Sequence, residues 1–597
     1  MQWVLQAEEG MCFFVDSIHE TDFLPMKKFL LVTGLLLGLL TSRSSRAQAP
    51  AWQSAIAVAS GSTARVMGTA ADASGNVYMT GFYTGTAGFG SLQLTSTTFG
   101  SLEVFVAKWH PATGYVWVVR AGGSGSTGGG VSALALALRG STVYVAGSFN
   151  CQTATFGSTV LTNVAAPNTF TSDVFVAKLT DAGSSASFVG AVRAGGAGND
   201  RATALVVQGS SLFVTGDYDG VTASFGSTVL TNAGAAFTTD VYVTRLSDAG
   251  SGLAYDWALS AGGTRDDTAN GLAVNGSSVY LTGFIERTAS FGATTLTGSG
   301  ASGYIAKLTD AGNSATFGWV QQLTGAGAAS GTALAVNGTT LYATGSFVGT
   351  VAFGSASLTY APTTIGGADI YVARLNDAGT SSNFAWALRA GGARTDVGYA
   401  LAVSGSSVYV AGSFDGTADF GSSSLTTAGA TDVFVAKVLD AGSSASFAWA
   451  QRAGGTGQLG DVARGLALSG NRLYVVGDVT PPASFGSFTL TNTNGFLASF
   501  TDSALPTATA AATALAPLVL SPNPAHGTST VHLPAGLATP ETTITVTDAL
   551  GRQVYTQRLR SSTGTTAELD LNGLRPGLYH LQLQAAGRQL GCWLAVE

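Results

Sequence analysis

Four short runs decide the fold: Trp386-Ala-Leu-Arg-Ala-Gly-Gly392, Leu401-Ala-Val403, Val408-Tyr-Val-Ala-Gly412 and Asp432-Val-Phe-Val-Ala-Lys437. Each is rich in valine or aromatic residues and bounded by Gly, Ser or Asp, which marks β-strands. Val/Tyr alternation with small residues has a period of two. Gly405-Ser-Ser407, between the second and third runs, reads as a hairpin turn.

Working outward, the same set recurs. Phe-Gly pairs stand at Phe89, Phe156, Phe225, Phe291, Phe353, Phe420 and Phe485, in steps of 67, 69, 66, 62, 67 and 65. A second series, Tyr78, Tyr144, Phe213, Tyr280, Tyr342, Tyr409 and Tyr474, precedes it by eleven or twelve residues. A third, Trp52, Trp117, Phe188, Trp257, Trp319, Trp386 and Trp449, marks one strand of each set.

Four antiparallel strands repeated seven times predict an all-β protein built as a seven-bladed β-propeller of four-stranded blades. Radial stacking buries the sheet faces and leaves short, protected edges. A linear solenoid needs distinct caps, and neither end supplies one. With the Leu-Ala-Val strand innermost, the tryptophan strand is outermost, and the strand at Trp52 completes the sheet begun near Val462. The alternative phase gives seven self-contained blades.

Composition agrees with this class. The 597 residues include 80 glycines, charged residues are 10% and hydrophobic residues 46%. That excludes a highly charged disordered chain and, without a three-residue glycine period, collagen. The net charge of −7 and the lack of a basic stripe exclude nucleic acid as a partner. Cys12, Cys151 and Cys592 form neither a disulfide framework nor a metal-ligand spacing.

Met26-Lys27-Lys28 followed by the apolar run Phe29 to Leu40 and Ser45-Arg46-Ala47 reads as a signal peptide, residues 26–47, cleaved after Ala47. Twelve apolar residues are too few to span a bilayer, so no membrane span is expected. Residues 1–25 read as an upstream extension ahead of the true start. The propeller is placed at 50–500, a Thr/Ala-rich linker at 501–514 and a last domain at 515–597.

Two resemblances follow from quoted residues. Asp72-Ala-Ser-Gly-Asn-Val-Tyr-Met-Thr-Gly81, and more loosely Leu272 to Gly283, resembles bacterial secreted β-propeller repeats, a family with no common activity. The tail carries Leu520-Ser-Pro-Asn-Pro-Ala525, Thr543-Ile-Thr-Val-Thr-Asp-Ala-Leu-Gly-Arg552 and Leu574-Arg-Pro-Gly-Leu-Tyr579. It resembles the C-terminal sorting domain of type IX secretion cargo in Bacteroidota. That resemblance implies the type IX machinery as a partner and a secreted or outer-membrane surface location, reached after export to the periplasm. The end, Leu594-Ala-Val-Glu597, lacks the family's basic residue. The strand pattern of the tail suits a small Ig-like β-sandwich.

Chemistry is sparse. Asp200, Asp267, Asp396 and Asp461 share one position, thirteen residues before the repeat Tyr or Phe, and are the candidate ligand-binding residues. They read either as a carboxylate rim for a cation or sugar or as turn aspartates bonding backbone amides. Their replacement by Arg65, Val131 and Ala329 in other units favours the second. Asp266 and Asp267 are adjacent and so face opposite ways on a strand, and Asp72 to Asn76 matches only the start of a calcium loop. No cofactor is expected, calcium being the one metal left open.

Lys108, Lys178, Arg245, Lys307, Arg374 and Lys437, with aspartates three residues after all but the first, read as a solvated edge. Arg120, Arg193, Arg389 and Arg452 read the same way, and the Phe-Gly and tryptophan series as buried packing.

Between residues 50 and 500 the only histidine is His110, and the glutamates are Glu103 and Glu286. No nucleophile-base pair or glycosidase signature appears. A non-enzymatic binding or adhesion protein is expected, with a glycan or surface protein as ligand and the segments 284–303 and 346–368 as presenting loops. The alternatives are a carbohydrate-active enzyme using the aspartates, and an envelope component without a discrete ligand.

Overall fold

The computed structural model describes residues 48–503, 505, 519–532, 542–548, 552–558, 566–585 and 588–597, apart from 62, 99, 125–128, 166–170, 235–236, 251, 361–365 and 493. The expected signal peptide and most of the expected linker lie outside these residues. Among them every named element is a β-strand.

One unit shows how the sequence pattern becomes a sheet. Val397–Ser404 pairs with Ser407–Phe420, which pairs with Ser423–Asp440, which pairs with Ala445–Gly455, all antiparallel. The turn at 405–406 joins the first two strands, with Gly405 at φ 59. Val408, Tyr409, Val410 and Ala411 in the second strand and Val433 to Ala436 in the third are all fully buried. The two middle strands thus form the core, and sheets on either side cover them.

The same pairing recurs through seven units, whose inner strands begin at Ala64, Val131, Asp200, Asp267, Ala328, Val397 and Val462. The last unit takes its fourth strand from the start of the chain. Ser54–Ala57 pairs with Gly495–Thr501, Ser54 opposite Ser499. This is the phase in which the tryptophan strand is outermost. Contacts also run from the last unit to the first: Val66 N donates to Asp478 Oδ1 at 3.3 Å, and Ser469 Oγ to Asp72 O at 2.8 Å.

The segments expected to be presenting loops are ordered differently. Residues 284–303 fall within the paired strands Ser278–Phe291 and Thr294–Asp310. In the other segment, Thr350–Phe353 pairs with Ala356–Thr359. Each such hairpin also bonds to the outermost strand of the preceding unit, as at Gly262 with Ser290 and Thr324 with Ala352. The Phe-Gly phenylalanine at its tip is buried, and Phe291 meets Phe317 edge-on at 5.5 Å. The hairpins are fasteners between units, because their Thr/Leu alternation gives one face to bury and one to expose.

The supposed solvated edge is also corrected. Asp181 Oδ2 accepts from Tyr78 OH at 2.8 Å and Lys108 Nζ at 2.7 Å, and Oδ1 accepts from Trp117 Nε1 at 2.9 Å. Asp248, Asp310, Asp377, Asp440 and Asp502 hold the cation of the preceding unit in the same way. Those six cationic side chains are only 5–17% exposed. A Lys and an Asp three apart on one strand face opposite sides, so each aspartate reaches the previous sheet instead of its neighbour in sequence. Arg193 and Arg452 are likewise paired, at 3.0 and 2.7 Å, with the buried Asp173 and Asp432.

The junction of last and first units lacks this lock. Pro111 stands where other units have the aspartate and Ser499 where they have the cation. Trp52 Nε1 is left buried without an acceptor.

The tetrad glycine is required by contact. A Cβ on Gly283 would lie 1.9 Å from Thr268 O, and on Gly412 1.9 Å from Val397 O, both backbone atoms of the inner strand. Gly283→Ala is expected to cost about 1–3 kcal/mol through overpacking, read as a shifted urea midpoint at unchanged slope.

The tail folds as two antiparallel sheets, one of three strands and one of four. They share a core of Val531, Ile544, Val546, Leu569, Leu581, Leu583 and Leu594. Asp548 closes its turn by accepting from Arg552 N at 3.0 Å. Cys151 and Cys592 are both free thiols.

Candidate functional site

Asp200, Asp267, Asp396 and Asp461 lie beneath the surface, each 0–1% exposed. Their Oδ2 atoms accept from Gly196, Gly263, Gly392 and Gly455 N at 2.7–3.0 Å. Asp267, Asp396 and Asp461 accept a second amide, from Glu286, Asp415 and Thr480, at 2.9, 3.0 and 2.6 Å.

A second buried carboxylate sits beside each, the aspartate that opens the Asp-Val-Phe-Val run or its equivalent: Asp173, Asp240, Asp369 and Asp432. A Cβ on Gly195 would fall 2.5 Å from Asp200 Oδ2 and 2.8 Å from Asp173 Oδ1, and one on Gly454 2.5 Å from Asp432 Oδ1 and 2.7 Å from Asp461 Oδ2. Burial, with the neighbouring carboxylate adding to it, pushes Asp200 up to about 8, Asp267 and Asp396 to about 7 and Asp461 to about 6. Burial beside a second carboxylate thus favours the protonated form of these side chains well above the ordinary carboxylate range. Among the described residues no cluster of three or more His, Cys, Asp or Glu side chains is arranged to bind a metal.

The structure brings a different set of residues together. In every inner strand the ladder skips one residue: Ala202 faces Gly216 and Ala204 faces Thr215, leaving Thr203 unopposed. The bulged residue is Met67, Leu134 and Thr203 in the first three units. In the next four it is Asn270, Thr332, Tyr399 and Arg464. A bulge re-aims the side chain it carries. All seven, with Arg201, line one cavity of about 500 Å³.

Its polar groups are held in place. Thr203 Oγ1 donates to Ala269 O at 2.6 Å and Asn270 Nδ2 to Gly331 O at 2.9 Å, each in the next inner strand. Thr332 Oγ1 makes the equivalent bond to Gly398 O. Arg201 pairs with Asp217 through Nε and Nη2, both at 2.8 Å, and this pairing raises its pKa. Arg464 Nε donates to Asp478 at 2.7 Å. Tyr399 is 37% exposed.

A sequence signal for this site exists, although it belongs to no motif. The slot between small residues, as in Ala202-Thr-Ala204 or Gly398-Tyr-Ala400, is the one place where a regular repeat carries Met, Leu, Thr, Asn, Tyr and Arg in turn.

Residues 520–591 match the family described as the secretion system C-terminal sorting domain. The tail is a type IX sorting domain. It implies a secreted or cell-surface protein handled by the type IX machinery. No helix among the described residues is long and apolar enough to cross a membrane. No curated protein matches the chain in sequence. Among solved structures, a phage phi92 endosialidase is 10% identical with a TM-score of 0.33, over 91% of this chain and 87% of its own. Apo AztD from Citrobacter koseri is 10% identical with a TM-score of 0.26, over 85% and 98%. Superpositions this loose carry no inference about architecture or activity.

Proposed function

We propose that this is a non-enzymatic binding or adhesion protein, exported by type IX secretion, whose repeat region is a seven-bladed β-propeller and whose tail is an Ig-like sandwich. Its ligand site is the central cavity. The observation that supports this is the convergence of seven bulged side chains, different in kind, on one cavity in an otherwise regular repeat. A rigid scaffold presenting variable side chains at one place is suited to recognition. The cavity side chains are fixed donors and apolar groups, with no paired nucleophile and base, which favours binding over turnover.

The test is a binding array of glycans and surface proteins with wild type and Tyr399→Ala. A ligand whose signal falls at least about tenfold in the variant supports the reading. Hits indifferent to Tyr399, Arg201 and Arg464 would overturn it. Removing residues 515–597 is expected to leave the protein inside the cell envelope, measured by fractionation, and normal release of the truncated chain contradicts the export claim.

A further inference from the structure

We infer that the central cavity takes an acidic saccharide, a sugar ring bearing a carboxylate or sulfate, and this rests on the reading of that cavity as the ligand site. The groups that the cavity still has to offer decide the class. The hydroxyl protons of Thr203 and Thr332 and one of the two Asn270 N–H groups are spent on backbone carbonyls of neighbouring strands. Arg464 uses only Nε on Asp478, and Arg201 keeps Nη1. The Tyr399 hydroxyl makes no hydrogen bond among the described residues. The strongest free donors are therefore two guanidinium edges, beside the Tyr399 phenol, the second Asn270 N–H and the acceptor lone pairs of Asn270 Oδ1 and the two threonine hydroxyls.

Each guanidinium is held by a buried carboxylate, Asp217 or Asp478, at 3% and 7% exposure. The fork is thereby oriented before a ligand arrives, and a planar donor edge of this kind suits a carboxylate or sulfate. The two come from the third and seventh units and line the same cavity, so one ligand meets both. Met67, Leu134 and the Tyr399 ring supply apolar surface for the C–H face of a sugar. The volume, about 500 Å³, lies within the range of small-molecule sites, about 300–1,000 Å³. The mixed donors and acceptors left on Tyr399, Asn270 and the threonines suit groups that do both. Sugar hydroxyls both donate and accept.

The test is titration calorimetry of the full chain with an oligogalacturonate, a heparin-derived sulfated tetrasaccharide and neutral maltotetraose. The expected result is binding of one or both acidic probes, weakened by salt, and loss of at least about tenfold in Arg464→Gln and in Arg201→Gln. The two acidic arms separate uronate from sulfate recognition. Since either arginine variant leaves a buried aspartate unpaired, Tyr399→Ala, at an exposed position, keeps the test valid if they fail to fold. Equal binding of maltotetraose overturns the inference, as does acidic binding indifferent to all three variants. If only a surface protein binds, and Tyr399→Ala abolishes it, the saccharide is wrong and the cavity reading stands. If no probe of any kind responds to the cavity variants, both fail.

Discussion

Asp181→Ala is expected to destabilise the repeat region by about 3–5 kcal/mol, read from urea unfolding followed by tryptophan fluorescence. The substitution leaves the Lys108 ammonium, the Tyr78 hydroxyl and the Trp117 indole N–H without their shared acceptor, in a site where the lysine side chain is 10% exposed. Most of the loss is the cost of an unpaired buried charge, so Lys108→Met in the Asp181→Ala background should recover a large part of it. Lack of recovery would mean that the aspartate acts by packing alone. The first-to-last junction supplies an internal control. Trp117→Phe removes a hydrogen bond to a carboxylate and should cost about 1.5–3 kcal/mol beyond the change in packing. Trp52→Phe removes an N–H that has no acceptor, so that part of its cost should vanish. Equal losses at the two sites would contradict the assignment of the lock.

The second large effect is in pH. Asp200, Asp267, Asp396 and Asp461 have folded values of about 8, 7, 7 and 6, above the ordinary 3.8. A carboxyl raised on folding binds more protons in the folded state than in the unfolded one between those values. Unfolding free energy therefore falls as pH rises through that window. The contribution is fully present below about pH 4 and is lost by about pH 8. A tenfold change in proton affinity is worth roughly 1.4 kcal/mol, so Asp200 alone weighs on the order of 5 kcal/mol.

The locking aspartates act in the opposite direction. Burial opposes ionisation of Asp248, but hydrogen bonds from Lys178 and Tyr144 outweigh it and hold its pKa at about 2. That stability is present above about pH 4 and is lost as pH falls toward 2. The melting temperature should thus peak near pH 5 and decline toward pH 8. Asp200→Asn, which keeps the shape without the charge, should make the alkaline limb shallower, the other three carboxyls still contributing, while leaving the acid limb in place. A melting temperature that rises from pH 5 to pH 8 would refute the paired-carboxyl account.

Strand positions were legible because they depend on neighbours in sequence. Valine and tyrosine alternate with small residues, and Gly-Ser or Asn-Gly turns interrupt them. The choice of Trp52's strand as outermost came from counting the three marker series at the two ends of the array. The hairpins behind Phe89 and its equivalents were misread as loops, since runs of three or four Thr, Ser and Leu residues look like polar connections until an outer strand from another unit pairs with them. The slot that lines the cavity was hidden for a related reason. A bulge is a mismatch between two strands, and the inner strand marks it only by one variable residue between small ones, which shows no role until the strands pair.

Period-two patterning and local turn chemistry were enough to establish the all-β class and the order of strands within each set, the spaced marker residues gave the number of sets, and a family resemblance marked the sorting tail. Other features emerge only when the sheets pack: Asp181 grips Lys108 of the preceding unit, Asp200 shares its burial with Asp173, and Arg464, Tyr399 and Asn270 meet at one cavity. Those contacts depend on how one sheet registers against the next, across separations of up to nearly two hundred residues, and local propensity contains no record of that distance.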